Sequence, residues 1–175
     1  MKTTKFNEEF FAEVREAEVW KMLFEERDFL WTEELIDRYQ DRIEWKLLSE
    51  NRSVQWTASM LEKYKDKLDW DKLSDGCNEY LYSVENLRKY RSRWNWSSLS
   101  ANSSVNWTLE KVEEFKDLID WSELIDNYNH DSLFTLDFFE KYKEYIPVVS
   151  FQDSSLWKHI LEIYKKRLIE EILSR

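Results

Sequence analysis

Glycine, proline and cysteine are nearly missing from this chain of 175 residues, which contains one of each. So few glycines and prolines leave little room for β-hairpins or phosphate-binding loops, and the composition predicts an all-α protein. The lone Cys77 cannot form an intrachain disulfide. Together with the two histidines, His130 and His159, it cannot build a zinc site from Cys and His alone. We therefore predict neither a metal nor another cofactor.

Long apolar runs and enzyme motifs are also missing. No stretch approaches the roughly 18 apolar residues of a membrane helix, and the apolar segment of a signal peptide does not occur. These absences predict a cytoplasmic protein that does not bind membranes. The motifs HExxH, CxxC, GxSxG and GxxxxGK do not occur either. Carboxylates are plentiful, but most lie at predicted exposed or capping positions, so we expect a protein that is not an enzyme and has no catalytic residues.

The chain is rich in aromatic residues, and these recur with a period of about 25 residues. Each unit opens with an aromatic residue followed by Thr or Ser, at Trp31-Thr32, Trp56-Thr57, Tyr82-Ser83, Trp107-Thr108 and Phe134-Thr135. A hydroxyl side chain at this place accepts a hydrogen bond from a free amide of a helix N-terminus. The aromatic residue before it can pack against the first turn as a hydrophobic staple. Apolar residues then follow at steps of three and four, which predicts the buried face of a helix.

A second, shorter helix is predicted in each unit. Its N-cap is an acidic residue or Asn, followed by Trp, in the pairs Glu44-Trp45, Asp69-Trp70, Asn95-Trp96 and Asp120-Trp121. These helices end at a shared position, which is occupied by Asn51, Gly76, Asn102 and Asn127. Asn and Gly tolerate the left-handed backbone conformation that ends many helices, so we predict a left-handed cap there.

One such unit cannot fold alone, because the few side chains it buries do not offset the entropy lost by ordering about 25 residues. Stacked neighbours must supply the remaining burial, which is the principle of a solenoid. We predict a single domain over residues 1–175, an α-solenoid of about six repeats of 25–27 residues, each with a long and a short helix. Residues 6–30 form a degenerate first repeat, residues 31–154 the regular repeats and residues 155–175 a C-terminal capping helix. In that helix we expect six residues to face inward: Trp157, Ile160, Leu161, Tyr164, Leu168 and Ile172.

The units share a short sequence signature. It reads D/E-W-x-x-L-S-x-N, then W-T, then Y-x-D, and is clearest at residues 44–51, at Trp56-Thr57 and at Tyr64 and Asp66. This signature resembles tryptophan-rich tandem repeats in uncharacterised bacterial and viral proteins, over about residues 20–150. The resemblance implies a helical-repeat architecture and carries no activity with it.

Charge is unevenly distributed along the chain, whose formal net charge is −10. Residues 110–140 contain ten acidic and two basic side chains, whereas residues 86–109 contain four basic side chains and no acidic one. An acidic surface repels phosphates, so direct nucleic-acid binding is disfavoured. We expect a protein partner with a basic surface instead, because acidic residues beside aromatic side chains provide both steering charge and contact area. The predicted contact residues are Glu113, Glu114, Asp117, Asp126, Tyr128, Asp131, Asp137, Phe138 and Tyr145.

Two functions fit this pattern. The first is a protein-binding repeat scaffold, acting as an adaptor, an inhibitor or an assembly factor. The alternative is an acidic mimic of nucleic acid that inhibits a DNA- or RNA-processing enzyme, such as one used in host defence. The two differ in whether nucleic acid competes for the partner. The sequence leaves the partner's identity and the oligomeric state open.

Overall fold

The computed structural model describes residues 8–127 and 132–174, and over these ranges it contains helices, turns and loops but no strand. The all-α prediction is therefore confirmed for the described chain. The chain divides into two compact units, Met1–Asn78 and Glu79–Arg175. The first unit contains α1 (Glu8–Glu25), α2 (Glu33–Tyr39), α3 (Trp45–Glu50), α4 (Ala58–Tyr64) and α5 (Trp70–Ser74).

The second unit begins with a 3-10 helix, Glu79–Tyr82. It continues with α6 (Val84–Lys89), α7 (Trp96–Ala101), α8 (Leu109–Phe115), α9 (Trp121–Asp126), α10 (Leu136–Tyr142), α11 (Val148–Phe151) and α12 (Ser155–Leu173). None of the described helices is long and apolar enough to cross a membrane.

The predicted helix starts are confirmed. The hydroxyls of Thr32, Thr57, Ser83, Thr108 and Thr135 all accept a hydrogen bond from the backbone amide three residues later. Asp69, Asn95 and Asp120 cap the second helices in the same way, whereas Glu44 makes no side-chain cap. Local capping chemistry therefore sets where these helices begin.

The tryptophans of the repeat pattern lie in the core or at its edge, as expected. Six of them are buried: Trp31, Trp56, Trp70, Trp94, Trp107 and Trp121. The indole N–H of Trp70 donates to the carbonyl of Lys65 at 2.8 Å, and that of Trp121 donates to the carbonyl of Lys116 at 2.9 Å. These bonds satisfy the one polar atom of a large apolar side chain, which makes its burial favourable.

The first helix of each repeat is shorter than predicted. The helices α2, α4, α8 and α10 have seven residues each, close to the five or six of α3, α5, α7 and α9. A tight turn follows each, with Arg42 N–H donating to Tyr39 C=O and Lys67 N–H donating to Tyr64 C=O, both at 2.8 Å. Leu68, which follows this turn, is buried just as it would be if the helix continued. The spacing of the apolar residues therefore does not distinguish a helix that ends in a turn from a longer helix.

The prediction of a left-handed C-cap is wrong. Asn51, Asn102 and Asn127 end their helices with φ of −70°, −74° and −75°, and no described residue, Gly76 included, has a positive φ. The side-chain amides of these asparagines instead form hydrogen bonds with other parts of the chain. The amide of Asn51 donates to the carbonyl of Phe24 at 2.5 Å, which ties α3 to the end of α1.

The same arrangement recurs in the second unit of the chain. The amide of Asn127 donates to the carbonyls of Ser100 at 3.3 Å and Ala101 at 3.0 Å, so α9 is tied to the end of α7. The amide oxygen of Asn102 accepts from the backbone of Ser104 at 2.8 Å. The amide nitrogen of Asn102 donates to the hydroxyl of Tyr82, in the same repeat, at 3.1 Å. Asn51 and Asn127 therefore bond to the preceding repeat, which no local rule reveals.

The first and last helices also differ from the prediction. The degenerate first repeat was expected to contain two helices, but α1 is one continuous helix of 18 residues. Phe11 and Val14 of this helix are exposed. In α12 only Leu156 and Ile160 are buried, while Trp157 is half-buried. Four residues predicted to face inward are exposed, since no described element covers that side of the helix: Leu161, Tyr164, Leu168 and Ile172.

Candidate protein-binding surface

The structure places the predicted contact residues on several elements of the second unit. Glu113 and Glu114 lie on α8, Asp117 follows that helix and Asp137 lies in the first turn of α10. All four are exposed, as is Tyr145 in the turn after α10. Tyr128 and Asp131 lie outside the described residues.

The prediction that Phe138 is a contact residue is wrong. Its side chain is only 2% exposed, and its ring packs against Phe134 at 5.8 Å and Tyr142 at 5.0 Å. The equivalent positions in other repeats hold Met60 and Asn86, which are buried too. The variable residue type at this position had suggested that it was not part of the core. In the structure it is buried at Met60, Asn86 and Phe138 and half-buried at Leu35 and Lys111.

Glu113 is already engaged by three donors. Its carboxylate accepts from Lys116 at 2.7 Å on one side, and from Lys141 at 2.8 Å and the Tyr142 hydroxyl at 2.9 Å on the other. The hydrogen bond from Lys116, followed by those from Lys141 and Tyr142, lowers the pKa of Glu113 to about 2. Glu113 therefore links α8 to α10 and is ionised at neutral pH.

Glu114 is engaged as well. Nε of Arg88 and its terminal nitrogen each lie 2.6 Å from one carboxylate oxygen of Glu114, which is a bidentate pair. The hydrogen bond to Glu114 raises the pKa of Arg88 above its ordinary value. Two of the predicted acidic contact residues thus bond within the protein, and the basic stretch beside them supplies one of the partners.

These ion pairs follow one rule along the chain. Positions are counted from the Thr or Ser that caps the first helix of a repeat. The residue five positions after this N-cap pairs with the residue six positions after the corresponding N-cap of the following repeat. The rule holds for Asp37 with Lys63 at 2.5 Å, for Arg88 with Glu114 and for Glu113 with Lys141. We call these three pairs the inter-repeat ladder. In two of the pairs the acidic residue comes first in the chain, whereas in the pair of Arg88 with Glu114 the basic residue comes first. Each pair nevertheless joins opposite charges.

An aromatic residue next to the ladder also bonds to it where the facing residue is an acid. The hydroxyl of Tyr64 donates to Asp37 at 2.7 Å, just as that of Tyr142 donates to Glu113. At the equivalent place Phe115 has no hydroxyl, and the facing residue there is Arg88, whose guanidinium cannot accept a hydrogen bond. Arg88, Lys141 and Tyr142 were not predicted as site residues. Complementary charges at these repeat positions are the sequence signal that could have revealed them.

What remains for a partner is the outer part of this surface. Asp117, Asp137 and Glu110 are exposed and form no ion pair with a described residue. Tyr145 is 38% exposed, and its ring stacks on the buried ring of Trp121 at 5.3 Å and 28°. We call Glu110, Asp117, Asp137 and Tyr145 the outer acidic surface.

Asp126 belongs to a different place. It lies at the end of α9 beside a cavity of about 310 Å³, which is lined by Ala101, Ser103, Glu123, Asp126 and Asn127. Of the other predicted contact residues that the structure describes, none lines that cavity. The structure therefore divides the predicted set between two locations.

The comparisons with known proteins identify no relative: no protein-family model, no curated protein and no solved structure matches this chain. Among the described residues, no group of three or more His, Cys, Asp or Glu side chains could hold a metal ion.

Proposed function

We propose that this protein is a non-enzymatic repeat scaffold that binds a protein partner with a basic surface, as an adaptor, an inhibitor or an assembly factor. We further propose that its helices form one α-solenoid domain of about six repeats. The inter-repeat ladder and the asparagine bonds support this arrangement, because neighbouring repeats within the first unit and within the second unit contact each other through the same positions.

The observation that carries the binding proposal is the placement of Tyr145. Its stacking on Trp121 holds the ring in one orientation while leaving it accessible. A rigid aromatic residue loses little entropy on binding and often supplies much of an interface's binding energy. The unpaired carboxylates of Asp117 and Asp137 would attract a basic partner and speed the encounter.

The ladder counts against the second candidate function. A mimic of nucleic acid needs carboxylates that point outward without internal counter-ions, as phosphates do. Glu113 and Glu114 are instead neutralised by Lys116, Lys141 and Arg88. A scaffold with a small acidic surface suits this charge distribution better than a decoy.

Affinity capture from the native host tests the proposal. The wild-type protein is compared with the triple variant Asp117→Lys, Asp137→Lys and Tyr145→Ala. The matched control is Asp41→Lys with Asp153→Lys, which reverses two exposed aspartates outside the outer acidic surface. We expect the same partner with wild type and control, and its loss with the triple variant. A partner that the triple variant retains would exclude this surface, and a partner displaced by nucleic acid would favour the mimic.

We place the protein in the cytoplasm. Cys77 is an exposed free thiol, and a lone exposed thiol suits a reducing compartment.

A further inference from the structure

The C-terminal part of α12 buries no side chain. Leu156 and Ile160 hold the start of the helix in the core, but every residue over 164–174 is exposed. An isolated helix shorter than about 12–15 residues is only marginally stable in water. This part of α12 therefore gains stability if a second surface covers it.

The exposed apolar residues of this part lie along one face. Leu161, Tyr164, Leu168 and Ile172 follow one another at steps of three and four, and each is between 46% and 63% exposed. Side chains at such steps form one stripe along a helix, which is typical of a helix that packs against another. We call these four residues the α12 stripe.

Two opposite charges flank the α12 stripe. Lys165 precedes Leu168 by three residues, and Glu171 follows it by three. Because three residues make slightly less than one helical turn, the two side chains lie at opposite edges of the stripe. Lys165 already contacts Glu162 of its own helix at 3.1 Å, but its side chain remains 63% exposed. Its ammonium group has three donors, so it can bond to a second carboxylate as well.

This pattern is self-complementary when two α12 helices run antiparallel. In a pair centred on Leu168, Lys165 of one copy lies level with Glu171 of the other, and Tyr164 lies level with Ile172. Each contact occurs twice, because such a pair has two-fold symmetry. The axes of packed helices lie about 8–10 Å apart, a separation that a lysine and a glutamate side chain span together.

Other arrangements of two α12 helices oppose like charges. A parallel pair in register sets Lys165 against Lys165 and Glu171 against Glu171. An antiparallel pair with Leu161 level with Ile172 sets Glu162 against Glu171. Juxtaposed like charges suppress the wrong arrangement of an interface. The charges of α12 therefore favour the antiparallel pair centred on Leu168.

We propose that two copies of this chain form an antiparallel dimer through α12, with Leu168 on the two-fold axis and Lys165 of each copy paired with Glu171 of the other. The same surface is used by both copies, so the interface is closed and association stops at the dimer. The stripe spans about 12 residues, or roughly 18 Å of helix. Such a small contact forms at high protein concentration and dissociates on dilution. This proposal does not depend on the proposed binding of a basic partner.

Mass measured by light scattering over a series of protein concentrations tests the dimer. Leu168→Glu sets two carboxylates against each other on the two-fold axis. The matched control is Val149→Glu, since Val149 is 93% exposed and lies outside the α12 stripe. Circular dichroism checks that each variant is folded.

We expect wild type and control to rise from the monomer mass of 21.7 kDa towards twice that mass, and Leu168→Glu to stay monomeric. A wild type that stays monomeric at its highest soluble concentration would overturn the proposal. So would a Leu168→Glu variant that dimerises as wild type does.

Charge reversal tests the pairing of Lys165 with Glu171. Lys165→Glu and Glu171→Lys each make both contacts repulsive, so each variant alone should have a dissociation constant about tenfold higher than wild type. An equimolar mixture of the two restores both contacts between unlike chains, so it should dimerise as wild type does. Equal dimerisation of wild type and both single variants, or a mixture no tighter than either variant, would exclude this pairing.

The same variants distinguish a different occupant of the α12 stripe. Residues 8–18 of α1 contain five acidic side chains and one basic one. If α12 bound α1 of a second copy, the more basic variant Glu171→Lys alone would associate more tightly than wild type. That result would replace the symmetric dimer by a head-to-tail contact and so overturn the proposal.

Discussion

A single carboxylate, Glu113, joins two helices through three donors. Each donor stabilises the ionised form, so the pKa of Glu113 falls from 4.5 to about 2 on folding. A group whose pKa is depressed on folding stabilises the folded state above its unfolded pKa, and this contribution is lost as the pH falls through the folded pKa. The contribution of Glu113 is therefore complete above pH 4.5 and disappears between about pH 4.5 and pH 2.

We expect Glu113→Gln to remove this pH dependence. The variant should be less stable than wild type at pH 7, and the difference should shrink as the pH falls towards 2 because wild type then loses its charged contacts as well. Urea denaturation at a series of pH values measures this. Glu144→Gln is the control, since Glu144 is exposed and forms no ion pair with a described residue. A gap between Glu113→Gln and wild type that does not change with pH would mean that the ion pairs do not form in solution.

The asparagines at the helix ends are a second case where one side chain joins two repeats. Asn127 is buried, and its amide serves two carbonyls of the preceding repeat, Ser100 and Ala101. Gly76 occupies the equivalent position without a positive φ, so glycine is not required there for backbone reasons.

We expect Asn127→Ala to cost about 1–3 kcal/mol, because buried carbonyls lose their donor. Gly76→Ala should cost far less and can stabilise by about 0.4–1 kcal/mol, since alanine restricts the unfolded chain. Thermal or urea unfolding of both variants decides between this reading and a left-handed cap. A larger loss at Gly76 than at Asn127 would contradict the hydrogen-bonding role.

At the scale of elements, consecutive second helices are joined through a serine. The hydroxyl of Ser49 donates to the carbonyl of Trp45 at 2.7 Å and accepts from the backbone amide of Asp69, the cap of the next second helix, at 3.0 Å. Ser100 makes the same two bonds, to Trp96 at 2.7 Å and from Asp120 at 3.0 Å.

The last two second helices, α9 and α11, are not joined by this bond. Both the serine position of α9 and the N-cap position of α11 carry other residues. Ile125 replaces the serine, and the cap of α11 is Pro147, which has no backbone N–H to donate. No donor is left without an acceptor, and Ile125 is fully buried instead. At these two positions the last pair of second helices therefore has neither the hydroxyl nor the backbone donor of the bond seen at Ser49 and Ser100.

A double-mutant cycle tests this coupling. Ile125→Ser alone should destabilise by removing buried apolar surface, and Pro147→Asp alone should introduce an amide without an acceptor. Together they can form the bond seen between Ser100 and Asp120, so we expect a favourable coupling of about 0.5–3 kcal/mol. The control cycle pairs Ile125→Ala with Pro147→Asp, since alanine offers no acceptor. Equal coupling energies in the two cycles would show that the introduced serine hydroxyl and the introduced backbone amide do not form this hydrogen bond.

At the scale of the whole molecule, stability is unevenly distributed. Leu99 in α7 and Leu124 in α9 are fully buried, and their amides donate at 2.9 Å to the carbonyls of the N-cap residues Asn95 and Asp120. Residues 164–174 bury no side chain. Regions with few buried contacts open at lower free energy than the core does.

We therefore expect hydrogen exchange to be slow at Leu99 and Leu124 and fast over residues 164–174. Mass-spectrometric exchange of the dilute wild-type protein measures both segments. Strong protection over residues 164–174 would mean that this end of α12 is stable although it buries no side chain.

The sequence by itself determined the helix starts, the aromatic core and the repeat period. Thr57, Asp69 and Trp70 act on residues within one or two turns of themselves, so their roles follow from local spacing. Short-range rules of capping and periodicity therefore predicted where the helices begin, and they identified exposed acidic residues such as Asp117.

Only the tertiary structure decided the rest, because the partners lie 17 to 29 residues apart in the chain. The pairing of Glu113 and Glu114, the amide bonds of Asn51 and the burial of Phe138 all depend on the neighbouring repeat. The exposure of Leu168 depends on the lack of any described element over α12. An apolar stripe in the sequence indicates a helix face that is suited to burial. Only the tertiary structure shows whether another element of the chain covers that face.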